Sequence, residues 1–222
     1  MDFGEENTRR MPVYLLLDVS GSMTGAPIQA VEQGVQLLQN ELLNQPQAVE
    51  LVYISVITFA SAANQIVPLT PLTSFTPPHL SAGGGTALGG AFRTLGQALD
   101  REIIPNTETK KGDYKPLVFL LTDGEPTDTW EPEVSAFQAR GERKAGAIIA
   151  LGCGEGVNVR VLQRITPQVL LMQDVTPDNL KAFFKWVSAS VTTASKSAAA
   201  PTGSAEATAT LPPAPAGFQV VL

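Results

Sequence analysis

Cysteine and histidine occur once each in the 222 residues, as Cys153 and His79, and these scarcities remove several chemistries. A single thiol cannot staple a fold, and secreted domains tend to carry thiols in pairs, so a reducing, cytoplasmic setting is expected. A single histidine excludes zinc sites built on histidine pairs. A Ser-His-Asp hydrolase would need Ser20 or Ser22 to converge with His79 and Asp123. No G-x-S-x-G elbow occurs, and His79 follows Pro77-Pro78 in what reads as a surface loop. No run approaches the ~20 apolar residues of a membrane helix. Val13 to Leu17, the only early apolar run, is cut by Asp18 short of signal-peptide length. Charge is scarce too, at 16% against the ~25% of a typical soluble domain, and its balance is -6 with a pI near 4.8. That balance opposes nucleic acid and anionic membrane as partners.

What is present is ample core material, 44% hydrophobic, arranged in short segments. Continuous apolar runs at Pro12–Asp18, Pro116–Thr122 and Ala145–Leu151 end in turn residues, as strands buried on both faces do. Leu51–Phe59 and Ala63–Leu69 suit a hairpin at one side of the sheet, and Val169–Met172 a last short strand. Between them, Pro27–Leu43 sets Ile28, Val31, Val35, Leu38 and Leu42 on one helical face. Leu88–Ile103, Glu131–Lys144, Asn158–Ile165 and Asp178–Ala189 complete the expected helices. Alternation of this kind predicts a doubly wound α/β fold: a mostly parallel sheet with helices on both faces and one antiparallel edge strand. Three parts are expected: an extension at 1–11, a domain at 12–190 and a tail at 191–222 rich in Ala, Ser, Thr and Pro. The tail cannot build a core. Either it is mobile, or it is a spacer open to a kinase whose end, Phe218, Val220, Val221 and Leu222, docks on an apolar groove or sheet edge.

Ligands of open α/β sheets gather beyond the carboxyl ends of the strands, where this sequence places its most unusual polar residues. Asp18 closes the first strand and leads into Val19-Ser20-Gly21-Ser22; Asp123-Gly124 closes another; Gly83-Gly84-Gly85-Thr86 lies ahead of a helix. Asp18, Ser20, Ser22, Thr86 and Asp123 thus bring five oxygen-bearing side chains toward one edge, a donor set suited to a hard octahedral cation such as Mg²⁺, with Mn²⁺ as the alternative. Both Asp18 and Thr86 are expected at the exposed rim rather than in the core.

These motifs resemble those of the von Willebrand factor A family. Asp18-Val19-Ser20-Gly21-Ser22 matches its Asp-x-Ser-x-Ser, Thr86 its loop threonine and Asp123-Gly124 its third motif, so all positions of the metal-ion-dependent adhesion site are represented. The likeness covers about residues 12 to 190. PVYLLLDVSGSM and LLTDGEPTD look most like bacterial TerY-like proteins associated with tellurite resistance. The resemblance implies a non-enzymatic interaction module that binds an Asp or Glu of a partner protein through the metal, in a stress-response assembly that includes a protein kinase or a phosphatase.

Other readings have weaker support. A metal-dependent enzyme on phosphoesters lacks a general acid or base beside the aspartates, since Ser20 stands where an aspartyl-phosphate phosphatase would carry a second aspartate. A structural subunit with a vestigial site would bind its partner equally well without metal. Gly83–Gly85 lacks the Lys of a P-loop, and in Gly152-Cys153-Gly154-Glu155-Gly156 the glutamate would repel a pyrophosphate. Cys153 fits a small buried residue. Arg140, Arg143 and Lys144 suit a helix end. Trp130, amid Glu125, Asp128, Glu131 and Glu133, is either an exposed interface anchor or packed under its own loop.

Overall fold

The computed structural model describes residues 9–140, 145–199 and 211–221. Strand β1 (Met11–Asp18) is buried along its whole length, as its unbroken apolar sequence requires of a strand covered on both faces. It is followed by a 3₁₀ turn at Gly21–Met23 and helix α1 (Ala26–Leu43). A short helix α2 (Pro46–Leu51) then leads into β2 (Val52–Phe59) and β3 (Ala63–Pro71). The chain continues through α3 (Leu88–Glu102), β4 (Leu117–Thr122), α4 (Glu131–Gln138), β5 (Ala147–Cys153), α5 (Val159–Ile165), β6 (Val169–Met172), α6 (Pro177–Ala199) and β7 (Phe218–Val221).

One seven-stranded sheet results, in the order β3-β2-β1-β4-β5-β6-β7. The inner strands are parallel. Both edges are antiparallel: β3 against β2, and β7 against β6. The hairpin edge follows the sequence expectation; the second antiparallel edge is additional. Alternate residues of each strand serve opposite cores. Val13, Leu15 and Leu17 join Phe119, Leu121 and the apolar faces of α1, α2 and α6. Tyr14 and Leu16 join Val118, Leu120 and those of α3, α4 and α5.

Several boundaries differ from the sequence reading. Helix α2 was not foreseen, because Pro46–Leu51 is too short to show a period; Pro46 starts it at a first-turn position where its missing N–H is no loss. Helix α4 ends at Gln138 and residues 141–144 lie outside the described residues, so Arg143 and Lys144 are not placed; Arg140 instead reaches back to the Gly96 carbonyl and Asp100. Strand β5 runs through Gly152 to Cys153, since a glycine between Leu162 and Leu171 lets the strand pass close under its neighbours. Helix α6 continues beyond Ser190 to Ala199, because Val191 and Ala194 keep an apolar face on the core even where the composition turns small. At the other end, Arg9 and Arg10 already belong to the fold. Arg10 makes a two-pronged ion pair with buried Asp113, Nε to Oδ1 at 2.8 Å and an amino group to Oδ2 at 2.6 Å.

Candidate metal centre

Strand β1 lies between β2 and β4, and the chain leaves it toward one side of the sheet and returns on the other. Loops diverge at such a point, and the carboxyl ends of the strands beside it are where open α/β sheets collect their ligands. The parallel register pairs Leu17 with Leu121, which sets Asp18 beside Thr122. Thr122 Oγ1 donates to Asp18 Oδ2 at 2.5 Å, and the Ser20 amide donates to Asp18 Oδ1 at 2.8 Å. The tight turn after β1 brings Ser20 and Ser22 hydroxyls within 3.0 Å of each other, and Ser22 donates to Asp123 Oδ1 at 2.7 Å. Four of the five expected residues therefore form a continuous polar chain across two strands.

Thr86 arrives from the glycine loop, which is hung over the β1 turn by backbone bonds. The Gly83 amide donates to Val19 O at 2.8 Å, and the Gly21 amide to Gly84 O at 3.0 Å. Gly84 adopts φ +82, a conformation that only glycine takes freely, and a Cβ there would stand 2.4 Å from Ser61 Oγ. Thr127 fixes the next step: its hydroxyl accepts from the Thr86 amide at 2.9 Å, and its own amide donates to Thr86 O at 2.9 Å. The Thr86 hydroxyl then lies 3.6 Å from where a Cβ on Gly124 would be, beside Asp123.

Asp18 and Thr86 are not at the exposed rim: they are 0% and 5% accessible, because the turn and the glycine loop close over them. Ser22 is exposed and Asp123 half-buried, so the polar chain runs from a sealed floor to an open top. Burial pushes the Asp18 carboxyl up from its ordinary value, hydrogen bonds from Ser20 and Thr122 pull it back, and the charge of Asp123 adds to the push. No lysine or arginine pairs with Asp18 or Asp123 among the described residues. Two carboxylates without a cationic side chain, joined through Ser20 and Ser22 with the Thr86 hydroxyl nearby, form a donor set that a divalent cation would complete. Among the described residues no three or more His, Cys, Asp or Glu side chains are grouped so that they could hold a metal ion, so a metal here would depend on hydroxyl ligands.

Four residues of this region escaped the sequence reading. Thr122 and Thr127 are one residue before and four after Asp123; the register of β1 on β4 reveals what Thr122 reaches, and the fold of the glycine loop what Thr127 reaches. Ser61 holds the glycine loop, its hydroxyl accepting from the Gly85 amide at 3.1 Å. Asn158, which also caps α5 by accepting from the Arg160 amide, donates to Glu125 at 3.1 Å. The acidic group around Trp130 is largely spoken for. Asp128 accepts from the Gly89 and Gly90 amides, the otherwise unpaired donors of the first turn of α3. Glu133 pairs with Arg93. Trp130 itself is 9% exposed, in the core with α3 and α4, and so is packed rather than an interface anchor. His79 Nδ1 lies 2.8 Å from Glu32, on α1, and the hydrolase arrangement is not formed.

The sequence profile described as von Willebrand factor type A domain matches residues 13–185. Among solved structures, a von Willebrand factor type A protein from Catenulispora acidiphila is 20% identical with a TM-score of 0.61, over 83% of this chain and 43% of that one. Proximal thread matrix protein 1 from the mussel byssus, described with a zinc-occupied MIDAS motif, is 22% identical with a TM-score of 0.56, over 85% of this chain and 46% of that one. The pilus adhesin SpaC from Lactobacillus rhamnosus GG, in its open conformation, is 18% identical with a TM-score of 0.65, over 85% of this chain and 30% of that one. This chain spans less than half the length of each of the three, and at these identities the likeness concerns the fold.

Proposed function

Because this chain belongs to the von Willebrand factor type A family, whose domains commonly mediate metal-dependent protein interactions, we propose that it binds a partner protein through a metal held by Asp18, Ser20, Ser22, Thr86 and Asp123. The observation that carries the reading is the polar chain from buried Asp18 to half-exposed Asp123, which lacks a cationic side chain and opens upward at Ser22. Mg²⁺ suits the all-oxygen donors, Mn²⁺ is the nearest substitute, and the zinc of the mussel protein makes metal identity the first quantity to measure. With the aspartates acting through coordinated water, three neutral hydroxyls would leave charge on such a cation. A partner Asp or Glu carboxylate is the ligand that would satisfy it, and the exposed top of the crevice is where it would enter.

The reading involves binding without turnover, since the hydroxyls and carboxylates of the site bond to one another and no general acid or base stands there beside the two aspartates. No helix among the described residues is long and apolar enough to cross a membrane. A cytoplasmic location rests on the lone thiol, and the pilus adhesin shows the same fold in a protein of another kind. The narrower role, a stress-response assembly of the TerY-like kind beside a protein kinase or phosphatase, rests on the PVYLLLDVSGSM and LLTDGEPTD segments alone.

Asp123→Ala and Ser22→Ala are the clean tests, because both side chains lie at the open top and their loss should leave the core intact. Calorimetric titration with MgCl₂ and MnCl₂ should find one site in the wild type and none in Asp123→Ala. Retention of a partner from cell extract should vanish in EDTA and in both variants. Partner binding that survives chelation and Asp123→Ala would sink the reading.

A further inference from the structure

The two edges of the sheet differ in charge. At the carboxyl edge, the loops 19–25, 60–62, 83–87, 123–130, 154–158 and 173–176 hold Asp123, Glu125, Asp128, Glu155 and Asp174 but no lysine or arginine. Asp128 is occupied with the α3 amides, whereas Glu125, Glu155 and Asp174 are exposed. The loop after β5 packs against the site: a Cβ on Gly156 would stand 3.1 Å from Asp123 O. Glu125 and Glu155 therefore border Asp123 from two loops. Such a rim repels a lone acidic group, so an acidic ligand for this site has to arrive among cations of its own.

The amino edge carries that combination. Between α3 and β4, residues 104–111 are all exposed and form a finger whose limbs are clamped together. The Ile104 amide donates to Asp113 Oδ2 at 2.8 Å, and the Asp113 amide returns a bond to Ile104 O at 2.9 Å. A Cβ on Gly112 would stand 2.2 Å from Ile104 O, so only glycine lets the limbs lie this close. Nearer the tip, the Thr107 amide donates to Lys110 O at 2.9 Å, and the Lys110 amide donates to Thr107 Oγ1 at 3.0 Å. Glu108 and Thr109 are left at the turn, with Lys110 and Lys111 directly behind. None of Glu108, Lys110 and Lys111 makes an ion pair among the described residues.

We propose that the finger of one copy docks on the carboxyl edge of a second copy, with Glu108 supplying the carboxylate to the metal and Lys110 and Lys111 meeting Glu125 and Glu155. The proposal rests on the metal site proposed above and names the partner of that site. A copy cannot satisfy itself. Finger and site lie at opposite ends of β4, whose six residues alone span about 20 Å of rigid, buried strand. The clamped limbs hold the tip in shape before docking, which lowers the ordering cost of binding. The contact joins two different surfaces, so each docked copy still offers a free finger and a free site, and copies add head to tail. One finger covers little area, so the association belongs to the weak, concentration-dependent class.

Sedimentation velocity of the full chain at rising concentration in MgCl₂ should show species beyond the dimer, and EDTA should return them to monomer. Glu108→Gln should stay monomeric while calorimetry still finds its metal, because Glu108 takes no part in holding the ion in its own copy. Lys110→Ala with Lys111→Ala should weaken association about 2- to 30-fold, the range of two exposed ion pairs. Mixing is the decisive arm. Glu108→Gln keeps the site without the tip carboxylate, and Asp123→Ala keeps the tip without the site. Each alone should be a monomer, and together they should form a one-to-one pair and nothing larger. A wild type that binds metal yet stays monomeric to its solubility limit overturns the proposal and leaves the metal site standing. Absence of metal binding overturns both. Association that survives EDTA or Glu108→Gln, or a mixture that stays monomeric, overturns the docking of Glu108.

Discussion

At the scale of single residues, the site depends on side chains that never face solvent. Thr122 donates the shortest bond that Asp18 accepts, and hydrogen bonds to ionised groups contribute about 1.5–3 kcal/mol. Thr122→Val keeps the shape of the side chain and removes that donor, leaving the buried carboxylate harder to ionise. Metal affinity measured by Mn²⁺ titration should drop by about 10-fold or more, with the circular dichroism spectrum unchanged; an unaltered affinity would mean that Thr122 does not hold Asp18 for metal. Cys153, 0% exposed at the end of β5, makes a different prediction. Burial pushes its thiol well up, and the charges of Asp123 and Asp18 push the same way. The native thiol should therefore resist aromatic disulfide reagents near pH 8 and react fully once the protein is unfolded. Above the ordinary thiol value of ~8.5 the unfolded chain gives up its proton first, so the native state holds more protons and stability falls as pH rises. Rapid modification of the native protein would contradict the placement of Cys153.

Among elements, the packing of α1 on α6 is the contact with least tolerance. A Cβ on Gly34, in the middle of α1, would stand 2.0 Å from Phe184 Cδ2, and Phe184 is 0% exposed with no room to retreat. Alanine normally improves a helix over glycine by about 1 kcal/mol, whereas overpacking a closed core costs about 1–3 kcal/mol. Gly34→Ala should on balance destabilise the domain, shown as a lower urea midpoint with an unchanged slope. A midpoint that holds or rises would show that α6 can shift away from α1. The same helix carries Trp186 on another face, so α6 is held between α1 beneath and the proline-rich segment outside.

For the whole molecule, the metal reading has a thermal consequence. A ligand present at about 100 times its dissociation constant stabilises the native state by about 2.7 kcal/mol. For a chain of this length each kcal/mol moves the melting temperature by about 2–4 °C, so saturating Mg²⁺ should raise it by roughly 5–10 °C and EDTA should return it. Asp123→Ala should melt at one temperature in both conditions. A wild type whose melting is indifferent to every divalent cation tried would mean that the crevice keeps its shape without holding metal.

The sequence by itself determined the order of strands and helices apart from α2, the parallel inner sheet, and the choice of Asp18, Ser20, Ser22, Thr86 and Asp123 as candidates for a site. Each of these is written in local pattern: apolar runs ending at an aspartate, hydroxyls at alternate positions in a turn, a threonine behind three glycines. Tertiary structure decided what no window along the chain contains. Thr122 reaches Asp18, and Thr127 fixes Thr86, only because β1 and β4 lie in parallel register with the glycine loop folded over both. Trp130 is packed rather than presented because the first turn of α3 comes against it. Composition at 191–199 hid the last turns of α6, and at 218–221 it left docking on a sheet edge as one of two alternatives: small residues carry almost no hydrophobic signal of their own, and these segments take their places because Val191 and Ala194 meet a core, and β7 an edge, that distant parts of the chain build.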